Sequence, residues 1–325
     1  MSPIAFVFPG QGSQAVGMGR ALATASPAAA AVFAAADAAL GEPISRLAFE
    51  GPAEDLDRTE NAQPALLATS IAYLEALRER WAAAGRENRE PAFVAGHSMG
   101  QYSALVAAGS LGLADAVRLV RERGRQMQAS GAGRDGRMAA VIGLDDGALP
   151  ELVERASAAG LIGVANRNAP GQVVLSGERS AIEAAAGIAR ELGAKRAIVL
   201  PVSVAAHSSL MADAAEGMRE ILRGVAFSDP SPPLLANADA RLVTTAEACR
   251  AELVEHLTTG VDWIRVVEQM TSAGIDTFVE VGPGRVLTGL IRRIAPNATI
   301  HASDDPSDPT GLAVPFLATA ETARA

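Results

Sequence analysis

The stretch 91-PAFVAGHSMGQYSALVAAG-109 decides how the chain reads. Residues 93–95 are apolar and strand-prone, Gly96-His97-Ser98-Met99-Gly100 follows, and 101–108 is helix-prone. Strand, G-x-S-x-G and helix in that order make the nucleophile-elbow pattern. The paired glycines let the chain turn sharply and lift the Ser98 hydroxyl to a helix N-terminus. There, amide N–H groups and the helix dipole favour developing negative charge. A serine that merely capped a helix would need neither glycine nor the strand in front. Ser98 is the candidate nucleophile.

Working outward, strand-like runs alternate with helical ones. Residues 4–8 read as a strand, Ala-rich helical stretches follow, and 91–95 read as the next strand. That alternation points to a parallel sheet covered by helices. Residues 63–81 read as one amphipathic helix with Pro64 near its first turn, where proline is favoured. The rhythm changes after SGAGRDG (130–136): strand 138–144, helix 145–159, strands 161–165 and 172–176, helix 179–192, strand 197–202. This β-α-β-β-α-β order is that of a ferredoxin-like unit. The expected fold class is α/β: a large subdomain with a parallel sheet (1–133 and 203–325) and an inserted ferredoxin-like small subdomain (134–202). The stretch from Ala302, rich in Asp, Pro, Ser and Ala, reads as a loosely packed end.

Composition narrows the function. The 325 residues are 49% hydrophobic, 20% charged and only 4% aromatic, which suits helices packed closely on a buried sheet. A net charge of −9 argues against non-specific binding to nucleic acid or an anionic membrane. Cys249 is the single cysteine, so neither an internal disulfide nor a cysteine-built metal site is expected. With no signal-peptide pattern and no apolar run long enough to span a bilayer, the expectation is a soluble cytoplasmic protein.

The first glycine-rich stretch, PGQGSQAVG (9–17), fits half of a dinucleotide-binding fingerprint. Such a site needs a second strand ending in Asp or Glu about 20 residues on. That window is an alanine-rich helical run with Asp37 inside it, so the cofactor reading fails. Serine needs a base, and the chain has four histidines: His97, His207, His256 and His301. His97 sits inside the elbow and shapes it, His256 lies in a charged helical run that reads as surface, and His301 begins the polar end. Position favours His207, just past a strand, where loops converge on active sites.

At this point the residues resemble one family, the malonyl-CoA:acyl-carrier-protein transacylases and related acyltransferase domains. The matching blocks are PGQGSQ (9–14), NAQPALL (61–67), GHSMGQYSALVAAG (96–109), RGRQMQ (123–128), GRMAAVIGL (136–144), NRNAPGQVVLSG (166–177), LPVSVAAHSSLM (200–211) and EVGPGRVLTGL (280–290). They come in family order and span nearly the whole chain. The resemblance implies an α/β-hydrolase-like large subdomain carrying the small one. It also implies ping-pong transfer of a malonyl group from malonyl-CoA to the phosphopantetheine thiol of acyl carrier protein, through a malonyl-Ser98 ester with His207 as base. The backbone amides of Gln11 and Met99 become the expected oxyanion donors. The His207 ring is expected to be held by a main-chain carbonyl near Asp262.

A malonyl group ends in a carboxylate, which suits the planar fork of arginine. Arg118, Arg121, Arg123 and Arg125 share one helical run, and spacing alone does not choose among them. The family motif singles out Arg123, with Gln63 and Asn166 lining the same pocket in relatives. The resemblance further implies no metal, no cofactor beyond the substrate malonyl-CoA, no nucleic-acid or membrane partner, and a monomer. Met99, Gln101 and Ala206 depart from the commonest family residues. The small Ala206 leaves room for methylmalonyl or another branched extender. An acyl hydrolase on the same scaffold is the main rival, and Arg123, which a hydrolase does not need, weighs against it. Arg285, Arg292, Arg293, Lys195 and Arg196 are candidates for a basic docking patch facing an acidic carrier protein.

Overall fold

The computed structural model describes residues 3–85, 88–131, 135–200, 202 and 204–304. Its strands are β1 (Ile4–Phe8), β2 (Phe93–Gly96), β3 (Gly136–Ile142), β4 (Ile162–Ala169), β5 (Gln172–Glu178), β6 (Arg196–Val199), β7 (Leu234–Leu235), β8 (Leu242–Val243), β9 (Val261–Asp262), β10 (Thr277–Glu280) and β11 (Thr299–Ala302). Two sheets result, making an α/β protein with mixed sheets. The larger runs β11-β10-β1-β2-β7-β8 and is parallel except for the terminal β7–β8 pair. A central parallel strand is covered by helices on both faces and so tends to be apolar throughout. β1 obeys this: all five residues of IAFVF are buried.

The smaller sheet runs β6-β3-β5-β4-β9. Its first four strands pair antiparallel, and the helices Leu149–Ser157 and Arg179–Glu191 pack on it around Leu152, Ile182 and Leu175. β9 comes from far along the chain and joins β4 in parallel, Asn166 opposite Val261 and Arg167 opposite Asp262. That pairing stitches the two sheets together beside the cleft.

Several local expectations shift. The helix expected at 63–81 runs Thr59–Ala83, so Pro64 lies inside it rather than in the first turn. The earlier start follows from packing: Thr59 and Glu60 lie against Gly124 of the helix Leu113–Gly131, where a Cβ would come 2.5 Å from Glu60 Cα. The end expected to loosen from Ala302 does not begin there. Ala302 is paired to Glu280 in β11, and Ser303 is fully buried with its amide on the Glu280 carbonyl. Residues 305–325 lie outside the described residues, as do the expected subdomain boundaries at Gly133, Arg134 and Ser203. Among the described residues no helix is long and apolar enough to cross a membrane.

Candidate active site

The elbow is built by backbone constraint. β2 ends at Gly96, the helix Gly100–Ala107 begins four residues later, and Ser98 between them has φ 53°. That left-handed conformation costs a non-glycine residue roughly 1–3 kcal/mol and persists only where its surroundings over-determine it. A Cβ on Gly96 would lie 1.8 Å from the Gly100 carbonyl carbon, so the turn closes only with glycine there. Asn237, fully buried after β7, clamps the turn: its Oδ1 accepts from the Ser98 amide at 2.8 Å and its Nδ2 donates to the Gly96 carbonyl at 2.9 Å. Gln101 reaches back from the helix, its Oε1 accepting from the Gly96 amide at 2.8 Å.

Ser98 Oγ lies 2.8 Å from His207 Nε2. His207 is 5% exposed, also in the left-handed region at φ 61°, and its Nδ1 lies 2.5 Å from the His256 carbonyl oxygen. Nδ1 must therefore be the protonated nitrogen, which leaves the Nε2 lone pair facing the serine. Burial, then the nearby Arg123 guanidinium, pushes the His207 pKa down to about 3, against the pull of the His256 carbonyl. The ring is thus neutral and able to take a proton. The accepting carbonyl is free for a structural reason. His256 lies in the last turn of the helix Ala246–Thr259, where carbonyls have no intrahelical donor. The negative end of the same helix favours a positive charge on the ring it holds.

Two sequence expectations are corrected here. The carbonyl that holds His207 belongs to His256, not to the neighbourhood of Asp262. Asp262 instead caps the helix Trp263–Ser272, its Oδ1 accepting from the Arg265 amide at 3.0 Å. His256 is not a surface residue: it is fully buried. Cys249, Glu252, Leu253, His256 and Leu257 recur at helical spacing and are all buried, so the polar members ride on the inward stripe. Reading that stripe for its spacing rather than its polarity is the signal that identifies them.

Arg123 is 1% exposed on the helix Leu113–Gly131. Its Nη2 donates to Ser98 Oγ at 3.1 Å and lies 3.2 Å from His256 Nε2, while Nη1 donates to Gln63 Oε1 at 2.8 Å. The other arginines of the run go elsewhere: Arg121 pairs with Glu42 and Asn61, Arg118 with Asp115, and Arg125 with Glu122. Gln63 is fully buried beside Arg123 rather than on the cleft wall, with its amide on Met127 Sδ. Asn166 does line the cleft, and its buried Oδ1 has no partner.

The cleft itself, of about 710 Å³, lies between the two sheets, with Gly10, Gln11, Ser98, Arg123, Asn166 and His207 among its walls. A Cβ on Gly10 would sit 2.4 Å from the His97 carbonyl oxygen, so the loop after β1 runs directly against the elbow. Gln11 follows on that loop, and Met99 opens the elbow helix with its side chain buried. His97 Nε2 lies 2.9 Å from Asn168 Oδ1 of β4, which ties the elbow to the smaller sheet. Of the five arginines and lysines expected to form a docking patch, Arg285 pairs with Asp304, and Arg293 bonds Gln172 and the Pro170 carbonyl. Asn237, Glu252 and Asn168 were not anticipated. His301 sits in β11, away from Ser98.

Known proteins similar to this chain share one family description. A family model described as acyl transferase domain matches residues 5–302. The chain is 44% identical over 307 residues to the malonyl CoA-acyl carrier protein transacylase of Escherichia coli K12, covering 94% of this chain and 97% of that protein. The enzyme of the same name from Bacillus subtilis is also 44% identical over 307 residues, 94% of this chain and 95% of that protein. Among solved structures, an acyl-carrier-protein S-malonyltransferase from Bartonella henselae superposes with a TM-score of 0.88 at 44% identity, covering 92% and 95% of the two chains. A malonyl-transacylase solved in complex with a type II polyketide acyl-carrier protein gives 0.88 at 41% identity, covering 96% and 98%. With the match running through nearly the whole chain and through the Ser98 elbow itself, the chain belongs to the acyl transferase domain family.

Proposed function

We propose that the chain transfers a malonyl group from malonyl-CoA to the phosphopantetheine thiol of acyl carrier protein. The observation that carries the reading is a fully buried arginine whose Nη2 lies 3.1 Å from the nucleophile candidate Ser98 Oγ. A buried guanidinium beside the reacting atom suits an acyl group that brings its own carboxylate. In the first half-reaction Ser98 Oγ attacks the thioester carbonyl and its proton passes to His207 Nε2. The tetrahedral oxyanion is met by the Gln11 and Met99 amides. Collapse breaks the C–S bond, the departing CoA sulfur takes the proton from His207, and malonyl-Ser98 remains. In the second half the carrier thiol gives its proton to His207 and attacks the ester, and the proton returns to Ser98 Oγ. Asn166 of β4 lines the same cleft and is the candidate amide partner of the acyl group. This chemistry calls on no metal and no cofactor beyond the CoA of the substrate.

The strand order of the smaller sheet supports a ferredoxin-like subdomain inserted into an α/β-hydrolase-like one, with the cleft at their junction. The reading extends to a monomeric cytoplasmic enzyme with Arg292, Lys195 and Arg196 in the carrier-protein docking surface. Ala206 lines the cleft, which favours room for a methyl branch and hence some turnover of methylmalonyl-CoA. Intact-protein mass spectrometry after incubation with malonyl-, methylmalonyl- and acetyl-CoA tests the acyl-transfer reading and the choice of extender. The expected result is a malonyl adduct on Ser98 that survives in water and moves to holo acyl carrier protein. An adduct lost to water overturns transfer in favour of hydrolysis. The absence of a methylmalonyl adduct removes the branched-extender reading.

A further inference from the structure

We propose that the His256 imidazole is a positioning residue that holds the Arg123 guanidinium for an acyl carboxylate, and so sets the preference for acyl groups that end in one. The inference deepens the malonyl reading and rests on it. His256 is fully buried, and its Nδ1 lies 2.8 Å from the Glu252 carbonyl one turn back in the same helix. A carbonyl can only accept, so Nδ1 carries the hydrogen and Nε2 presents a lone pair. That lone pair faces Arg123 Nη2 at 3.2 Å. On the other side Gln63 Oε1 takes a hydrogen of Nη1 at 2.8 Å.

Both acceptors are neutral, and this is the point of the arrangement. Arg121, two residues earlier, is paired with the Glu42 carboxylate at 3.0 Å, so its charge is compensated. Among the described residues no carboxylate pairs with Arg123. A buried carboxylate at position 256 would fix the guanidinium equally well, but it would also neutralise it and repel the incoming acyl carboxylate. An imidazole and an amide orient the fork and leave the charge unmet. The two terminal nitrogens carry four hydrogens. With Gln63 on one and His256 on another, the second Nη1 hydrogen and the Nη2 hydrogen that reaches Ser98 Oγ are those left for an incoming carboxylate.

The backbone of the same residue holds the other reactant, since the His256 carbonyl accepts from His207 Nδ1 at 2.5 Å. Substituting the side chain leaves that carbonyl in place, which separates the two roles. His256→Leu removes the acceptor at similar volume, and His256→Gln keeps one within reach. Steady-state transfer from malonyl-CoA is compared with that from acetyl-CoA, which has no carboxylate to offer Arg123. In His256→Leu the KM for malonyl-CoA rises about 10- to 100-fold, the range for losing a charge-assisted hydrogen bond. The ratio of malonyl to acetyl kcat/KM falls by the same factor, and His256→Gln restores most of both.

An equal loss with malonyl- and acetyl-CoA overturns the proposal, because it assigns His256 a purely structural role through His207. An unchanged malonyl KM in a folded Leu variant also overturns it. If that variant does not fold, the imidazole nitrogen shifts of His256 in the unaltered protein decide the matter. Hydrogen on Nδ1 supports the proposal, and hydrogen on Nε2 rules it out, since His256 would then offer Arg123 Nη2 no acceptor. Failure of the malonyl reading is separate: it would appear as an unaltered protein that takes no malonyl group onto Ser98.

Discussion

The Ser98 elbow and the helix Ala246–Thr259 both serve one site, yet they are made on opposite principles. The elbow is a backbone device whose conformation is possible with only a few residues, and its close approaches demand Gly96 and Gly100. The helix is an ordinary one that works through two side chains and one carbonyl on its buried stripe. Glu252 Oε1 accepts from the Asn237 amide at 2.7 Å and from Gln101 Nε2 at 3.0 Å. Asn237 and Gln101 in turn hold the elbow, so the helix supports the strained turn through two intermediaries. Strain at a functional turn is therefore sustained from more than a hundred residues away in sequence.

The largest effect falls on the reacting atom. Ser98→Ala leaves every backbone bond of the elbow in place, and transfer should fall by about a thousandfold or more with no adduct in the mass spectrum. Arg123→Ala comes next. It should lower kcat/KM for malonyl-CoA about a hundredfold or more, and acetyl-CoA transfer far less, in the same assay.

Sharper tests address the support. Asn237→Ala leaves the part-buried Ser98 amide and the buried Gly96 carbonyl without partners, and should cost about 2–4 kcal/mol in urea denaturation. Glu252→Gln keeps an oxygen for the Asn237 amide. Burial already raises the Glu252 pKa towards the neutral form, so this change should cost less than about 1 kcal/mol by the same measurement. A loss as large as that of Asn237→Ala would mean that the helix supports the elbow through charge rather than through hydrogen-bond geometry.

The pH dependence of stability follows from His207. Its folded pKa of about 3 lies below the value of 6.5 for a free imidazole. The unfolded chain therefore binds the proton first, so the stabilisation is complete above about pH 6.5 and is lost progressively as pH falls towards 3. His97 and His256 are shifted in the same direction by burial. Denaturant midpoints should fall with acidification across that window, and His207→Gln should flatten the slope. The smallest effect belongs to the rim: Arg292→Glu should raise the KM for carrier protein a few-fold at low salt, with malonyl-CoA kinetics unchanged.

Legibility tracked the same division. Ser98 was readable because a sharp strand-to-helix turn leaves its glycines in the sequence. Arg123 could not be chosen by charge from four arginines on one helix, since selection depends on which neighbours already hold a carboxylate. Glu42 takes Arg121 from outside the helix, and that pairing exists only once the chain has folded. His256 was misread because a charged run looks like surface until its spacing is laid against Cys249, Leu253 and Leu257. Asn237 carries no local mark at all, and its role comes from the meeting of β7 with the end of β2.

What the sequence alone determined is the set of places where backbone geometry restricts the choice of residue. These are the elbow, the apolar strand β1 and the alternation that makes an α/β protein. Tertiary structure alone decided which carbonyl orients His207, which arginine keeps an unpaired charge, and what braces the turn. Steric limits act between neighbours in the chain and leave a local record. Burial, tautomer and charge pairing depend on groups brought together from distant segments, and they are settled only when those segments pack.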